Sequence, residues 1–220
     1  MPKIRAAFLL TLVLISGVAA AAPPLALSTQ NGVTTLSGKA VGWKLGARSL
    51  AFSNFSTPAS ELTRGKIDDG GTFQIALPSA AQLKPLTRNV GDMYDVVGCD
   101  DQPSDFDIGR RDADLYWLPR LSVLKAQPSP KAPAPKLPYE SGDVYNLTTT
   151  GKDELRLLYS TDYTTIRVDI SCTAWGDDKS VYYNLNVAPG WNMVLDRVGS
   201  ETFIEDAPES LETRWLYGVR

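Results

Sequence analysis

The sequence predicts an all-β protein with little helix, and two observations support this. Short segments of alternating apolar and polar residues recur along the chain, and turns rich in Gly, Pro and Asp separate them. No segment sustains a period of 3.6 residues over three helical turns, so helix is expected to be minor. Strands at this spacing are typical of a β-sandwich or an open barrel.

The individual elements follow from local patterns. Strict alternation predicts strands at 72–77, 154–160, 165–173 and 181–187. Weaker signals predict further strands at 33–42, 49–53, 65–68, 115–125 (broken by Pro119), 191–198, 202–204 and 213–219. Turns are expected at 69–71, 176–178 and 189–190, and one helical turn at 79–83, with Ser79 as its N-cap. Residues 22–32 and 88–114 are predicted to be irregular.

The first 21 residues have the pattern of a secretory signal peptide. Lys3 and Arg5 precede an apolar stretch, and small residues before Ala22 fit a cleavage site near Ala21. The apolar stretch is short for a membrane span, which needs roughly 20 residues, and no later stretch would span a bilayer. We therefore expect a secreted or periplasmic protein with no membrane span in its mature chain.

A proline-rich segment at 127–138 divides the mature chain. Such a segment does not pair in a sheet and serves as a semi-rigid linker or loop. It separates a first β unit at 22–126 from a second at 139–220, which is either a separate unit or continuous with the first.

The chain has two cysteines, Cys99 and Cys172. Export to an oxidising compartment would make them a disulfide pair, and Cys172 lies on the apolar face of its predicted strand. Closing a loop of this size stabilises a fold by about 4 kcal/mol on the chain-entropy model. Two free buried thiols are the alternative.

Residues 33–78 resemble a known family. The order VTTLSGKAVGW, SLAFS, RGKIDDGGTFQIALP is similar to carboxypeptidase regulatory-like (transthyretin-like) domains of exported bacterial proteins. The extra Gly71 and the Asp-rich continuation depart from that pattern. The resemblance implies a Greek-key β-sandwich with an accessory, non-catalytic role, and it carries no site residues to this chain.

Composition excludes several functions. The chain has no histidine, so a Ser-His-Asp or Cys-His catalytic centre is impossible. A pI near 5.1 argues against a nucleic-acid partner, which requires a basic face. A hydrolase that uses two carboxylates needs no histidine, but the spacing of Glu154, Asp169, Glu201 and Glu205 selects no pair. We therefore expect that the protein is not an enzyme.

Two groups of residues are candidate ligand sites. Asp105, Asp107, Asp112 and Asp114 offer oxygen ligands that calcium prefers, although Arg110 and Arg111 compete for them. Trp175 sits beside Asp177 and Asp178 at a predicted turn, where an aromatic ring and carboxylates could hold a sugar.

Together these features predict an exported, non-catalytic β protein with a structural or binding role in the bacterial envelope or periplasm. Its partner is expected to be a protein or glycan of the envelope, and no cofactor is expected apart from calcium as the alternative. The other hypotheses are a carbohydrate- or calcium-binding accessory protein and, with less support, a small carboxylate-dependent hydrolase.

Overall fold

The computed structural model describes residues 26–54, 60–90, 105–126, 139–148, 150–174, 177–198, 201–208 and 211–218. Within these residues, sixteen strands form one hydrogen-bonded sheet, and the only helix is a single turn. This confirms the prediction of an all-β protein with minor helix. In the same part of the chain, no helix has the length and apolar character needed to cross a membrane.

Nine strands and the helix precede the proline-rich segment. They are β1 (Ala26–Gln30), β2 (Val33–Val41), β3 (Arg48–Asn54), β4 (Ser60–Ile67), β5 (Thr72–Ala76), α1 (Ala80–Leu83), β6 (Arg88–Asn89), β7 (Asp105–Ile108), β8 (Asp114–Trp117) and β9 (Leu121–Leu124). Seven strands follow it. They are β10 (Tyr139–Thr148), β11 (Glu154–Ser160), β12 (Thr164–Ala174), β13 (Asp177–Val187), β14 (Gly190–Val198), β15 (Thr202–Asp206) and β16 (Thr213–Gly218).

Seven of the strands close into a ring, that is, a small barrel. The order is β2, β5, β4, β3, β9, β10 and β16, and β16 pairs with β2 again. Strand direction must return to itself around a closed ring, so the number of antiparallel pairs has to be even. Six pairs are antiparallel, and the seventh, between β16 and β2, is parallel. Closure leaves these strands with few open edges.

The ring encloses the first hydrophobic core. Every strand of the ring contributes a buried side chain to this core: Leu36, Phe73, Ile67, Leu50, Val123, Val144 and Trp215 are examples in ring order. The pairings do not establish the β-sandwich that the sequence predicts for the first half. They describe a closed ring, because β9, β10 and β16 complete the sheet that residues 33–78 begin.

The same sheet continues beyond β10, and we call this continuation the second sheet. Its strand order outward from β10 is β11, β14, β15, β13, β12 and β7. On the edge of β11 that faces away from β14, β8 also pairs with β11, and β6 pairs with β8. One face covers a second core, to which both ends of this sheet contribute, including Leu115 on β8 and Ile108 on β7. The sheet therefore curls around its core. The predicted inward residues Ile166, Val168 and Ile170 are buried there, which confirms the alternation of that segment.

Strand β10 belongs to both parts. On one edge, residues 143–148 of β10 pair with β16. On the other edge, Val144 is paired with β9, while Asn146 and Leu147 are paired with β11. The stretches 22–126 and 139–220 thus contribute strands to the same sheet, and β7 and β8 of the first stretch pair with β12 and β11 of the second.

The local predictions around α1 and the 69–71 turn are confirmed. The Ser79 hydroxyl accepts a hydrogen bond from the Gln82 backbone N–H, and the Gln82 side chain accepts one from the Ser79 N–H, which is a capping box. Gly71 has a φ of 84°, and an added Cβ would lie 2.6 Å from the Ala40 carbonyl oxygen. Only glycine meets both conditions without strain.

The irregular segments that the sequence predicts contain strands. Residues 26–30 form β1 because Asn31 and Gly32 both adopt positive φ and close a two-residue hairpin between Gln30 and Val33. Within 88–114, β6 and β7 are regular, β7 despite its two aspartates, because each pairs with a strand already in the sheet. Asp177 and Asp178 are also in a strand, where they pair with Ala174 and Thr173, and not in a turn.

The ring packs tightly where the Trp215 indole crosses Gly38. A Cβ on Gly38 would lie 2.4 Å from Trp215 Nε1 and 2.8 Å from Phe73 Cζ, and these two rings form an edge-to-face pair with centroids 4.9 Å apart. We expect Gly38→Ala to lower the free energy of unfolding by about 1–3 kcal/mol, because it overpacks the core. Chemical denaturation measures the effect.

Gly70→Ala is the matched control for this substitution. Gly70 lies in a surface turn, and the nearest atom to its added Cβ is Asp68 Oδ1 at 3.3 Å. A change within about 0.5 kcal/mol is expected there. Equal effects at the two glycines would contradict the packing of Trp215 against Gly38.

Candidate functional site

A cavity of about 560 Å³ lies where β10 turns from its partner β9 to its partner β11. We call it the junction cavity. Part of its wall is apolar and comes from the ring, with Leu36, Phe52 and Val144 among its residues. The other part is charged and comes from Arg120 in the loop before β9, Asp143 on β10, Glu154 and Arg156 on β11, and Asp196 on β14. An apolar wall with a few convergent polar groups is typical of ligand pockets.

The first charged pair at the cavity is Arg120 with Glu154. Arg120 Nε donates to Glu154 Oε1 at 2.8 Å, and Arg120 Nη2 donates to Oε2 at 2.6 Å. This two-bond geometry is the strongest that the two groups can make. The hydrogen bonds to Glu154 raise the pKa of Arg120. The guanidinium also lies 5.6 Å from the centre of the Tyr145 ring.

The second charged pair is Arg156 with Asp196. Arg156 Nη1 donates to Asp196 Oδ2 at 3.1 Å, and the Arg156 guanidinium lies 4.9 Å from the centre of the Trp117 ring. Each arginine at the cavity therefore faces one carboxylate and one aromatic ring, an arrangement that compensates its charge. Neither arginine is left as an open cation for an anionic ligand.

Asp143 is the third carboxylate at the cavity. Burial raises the pKa of its carboxyl group, while the Ser122 hydroxyl and the Arg120 charge act in the opposite direction. Tyr183 is close enough to the second ion pair to feel its charges, and burial raises the pKa of that phenol. The charged wall is thus partly desolvated.

Three residues that line the cavity, Asn146, Asp196 and Trp215, have buried polar atoms with no hydrogen-bond partner among the described residues. The Asn146 side chain is 1% exposed, and neither Nδ2 nor Oδ1 has a hydrogen-bond partner among the described residues. Asp196 Oδ1 is likewise buried and unpartnered in that part of the chain. Buried polar atoms without partners are uncommon and costly, about 1–3 kcal/mol each, and each calls for an explanation. None of these atoms reaches the surface of the cavity, so a bound molecule would pair with them only after neighbouring side chains move.

The position of Asn146 follows from the strand pairings. Its Cα partners are Leu155 on β11 and Trp215 on β16, so it lies on the same face of β10 as the buried Val144. Strand alternation thus forces a carboxamide into an otherwise apolar position. A donor and an acceptor that are fixed side by side can bind a ligand group that also carries both.

The aspartates predicted to hold calcium are placed on β7, β8 and the loop between them. Asp107 is exposed and pairs in register with Arg167, while Asp112 accepts a hydrogen bond from Arg110 Nε at 2.9 Å. This contact with Arg110 lowers the pKa of Asp112. In the described segments, no group of three or more acidic or thiol side chains is arranged to hold a metal ion. A calcium site at Asp105, Asp107, Asp112 and Asp114 stays a prediction.

The other predicted site residues are only partly described. Trp175 and Cys99 lie outside the described residues, and Cys172 pairs in register with Lys179 on β13. The sugar site at Trp175, Asp177 and Asp178 and the disulfide therefore stay predictions.

The residues of the junction cavity were not singled out as a site from the sequence, apart from Glu154 as one of several carboxylates. Asn146, Arg120 and Arg156 come together only through the pairing of β10 with β11 and the loop before β9. The one available signal was local: Asn146 lies two positions after Val144, in the place where alternation expects an apolar residue.

The raised pKa of Asp143 makes a prediction for the pH dependence of stability. A carboxyl whose pKa is higher in the folded chain than in the unfolded chain destabilises the fold when it is ionised, and this penalty disappears as the pH falls through the raised pKa. We expect Asp143→Asn to raise the free energy of unfolding at pH 7. The advantage should shrink on acidification and be lost below the unfolded value of about 3.9. Denaturation between pH 7 and pH 3 measures it.

Asp112→Asn is the control, because its effect on stability is expected to have the opposite sign to that of Asp143→Asn. Because the pKa of Asp112 is lowered by Arg110, its carboxylate favours the fold above the unfolded pKa, and that contribution is lost as the pH falls through the lowered value. A difference between Asp143→Asn and the parent protein that does not change with pH would contradict the burial of Asp143.

Comparison of the chain with protein-family models, with curated proteins and with solved structures finds no match. The resemblance of residues 33–78 to carboxypeptidase regulatory-like domains stays a prediction.

Proposed function

We propose that this chain is an exported, non-catalytic binding protein of the envelope or periplasm and that its ligand site is the junction cavity. The observation that carries the proposal is Asn146, a carboxamide that is 1% exposed and has no protein partner at either polar atom among the described residues. A stable fold that retains such a group incurs a cost that an apolar residue would avoid. Ligand recognition accounts for its retention.

The surroundings of Asn146 favour a small neutral ligand. The cavity of about 560 Å³ has room for a molecule of monosaccharide size, and its two arginines are already paired with Glu154 and Asp196. The Asn146 carboxamide offers an NH₂ donor group and an acceptor oxygen side by side, whereas the strand register places Asp196 on the opposite face of the sheet, where Oδ1 is a separate acceptor. A vicinal diol or a primary amide matches this set, because each carries donors and acceptors on adjacent atoms.

A binding role also agrees with the remaining features that support the proposal. The first 21 residues have the pattern of an export signal, and the resemblance of residues 33–78 is to accessory modules without a common active site. The described carboxylates at the cavity are engaged with arginines or, for Asp143, with Ser122, so none is arranged with a second open carboxylate as hydrolysis requires.

The test is a titration of the full chain with three neutral probes: myo-inositol, N-acetylglucosamine and nicotinamide. The side-chain amide resonance of Asn146, assigned by its loss in Asn146→Leu, reports binding. We expect at least one probe to shift this resonance at concentrations up to about 10 mM, a range that includes weak millimolar ligands. Asn146→Leu should lose that binding.

Asn146→Leu also has an expected effect on the free energy of unfolding, and the sign of this effect would be reversed if the Asn146 amide had a structural role. Because no protein group pairs with the Asn146 amide, Asn146→Leu should raise the free energy of unfolding by about 1–3 kcal/mol. Asn192→Leu is the matched control: the Asn192 amide donates to the Ala188 and Gly190 carbonyl oxygens and accepts from the Ala188 N–H, so its loss should destabilise the fold.

Two results would overturn the proposal. One is the absence of any shift at Asn146 with all three probes. The other is a marked loss of stability in Asn146→Leu, comparable to that of Asn192→Leu, since this would mean that the Asn146 amide makes structural hydrogen bonds.

A further inference from the structure

The outward face of the second sheet carries a groove of about 410 Å³ that is separate from the junction cavity. Side chains at alternate positions of a strand share a face, and Val168 on β12 points into the second core, so Arg167 and Asp169 point outward. The groove lies among outward residues of β7, β12, β13 and β15.

The strand register places the groove between two rows of side chains. The polar row runs across four paired strands and consists of Asp107, Arg167, Asn184 and Glu205. The second row runs beside it, with Tyr182 and Phe203 at its centre and Asp169 and Arg197 at its ends, and we call it the aromatic row after its two central residues. Neighbours in the two rows are two residues apart on β12, β13 and β15, so the rows are separated by about 7 Å. A flat ring fits a groove of this width.

Two stacked aromatic rings form one wall. The Tyr182 and Phe203 ring centres are 4.8 Å apart with an angle of 15° between the planes, and Phe203 is 41% exposed. A large apolar side chain that remains exposed beside polar residues often marks a binding surface. Because the two rings cover each other's inner faces, the outer face of each ring is the surface that remains for the carbon-bound hydrogens of a sugar.

The polar side chains around the groove offer hydrogen-bond acceptors, and neither of the two arginines there is an open cation. Arg167 donates to the Leu185 carbonyl oxygen at 2.5 Å and to Asn186 Oδ1 at 3.0 Å, and Arg197 is paired with Glu205 at 2.5 Å. Asp169 Oδ1 is buried and has no hydrogen-bond partner among the described residues. The ligand must therefore bring hydroxyl or amide donors, while a negatively charged chain finds no free partner.

We infer that this groove binds a neutral oligosaccharide chain, with sugar rings against Tyr182 and Phe203 and hydroxyl groups donating to the polar row. The groove lies on the outward face of the sheet, so a sugar chain longer than the groove can extend beyond it. This site does not depend on the function proposed for the junction cavity.

The test is calorimetric titration of the full chain with four neutral hexasaccharides: cello-, chito-, malto- and xylohexaose. We expect at least one to bind, and Phe203→Ala to weaken that binding by about tenfold or more through loss of the aromatic wall. Phe203→Leu keeps apolar bulk without the ring and should also weaken binding. Tyr163→Ala is the matched control, since Tyr163 is 56% exposed but does not line the groove.

Each remaining outcome is decisive. Equal binding by the parent protein and Phe203→Ala, or no binding of any hexasaccharide at millimolar concentration, would overturn the inference. Binding of tetralysine in place of the sugars would assign the groove to a cationic peptide and overturn it as well. Asn146→Leu should bind the hexasaccharide normally, so failure at the groove and failure at the junction cavity are separable.

Discussion

The fold depends on β10 having three neighbours. Its edge along β16 is continuous, whereas its other edge is divided between β9 and β11. The division joins a closed ring to a curled second sheet, and each part has its own core. Because the backbone groups of β10 are needed by both parts, neither core can lose this strand without exposing unpaired groups in the other.

The junction cavity is a consequence of the same division. Where two strands share one edge of a third, side chains from both sheets meet without filling the space between them, and ion pairs line the opening. The ring is closed by a parallel pair between β16 and β2 that includes Trp215, whose indole lies against Gly38. The same tryptophan lines the cavity, so closure of the ring also fixes one wall of the site.

Local signals predicted a large part of the fold. Alternation located β5, β11, β12 and β13, and turn chemistry located the 69–71 turn and the Ser79 cap, because these features depend on neighbouring residues in the chain. Strand β10 was missed because YESGDVYNLT mixes acidic residues, a glycine and an asparagine into its pattern. Its regularity comes from partners on both edges, which lie far away in the sequence.

The sites were less predictable than the fold for a related reason. The alternation of β13 placed Tyr182 and Asn184 together on the polar face, but only the register shows that Phe203 stacks on Tyr182 and that Asp107 lies in the same row as Asn184. Long-range pairing also brings Arg120 to Glu154, 34 positions away. Residue spacing along one chain does not encode such contacts.

Differential scanning calorimetry tests most directly whether β10 couples the two cores. We expect one thermal transition with equal calorimetric and van't Hoff enthalpies, because the ring and the second sheet unfold as one unit. Two transitions, or a calorimetric enthalpy well above the van't Hoff value, would show that the two cores unfold independently and would contradict this coupling.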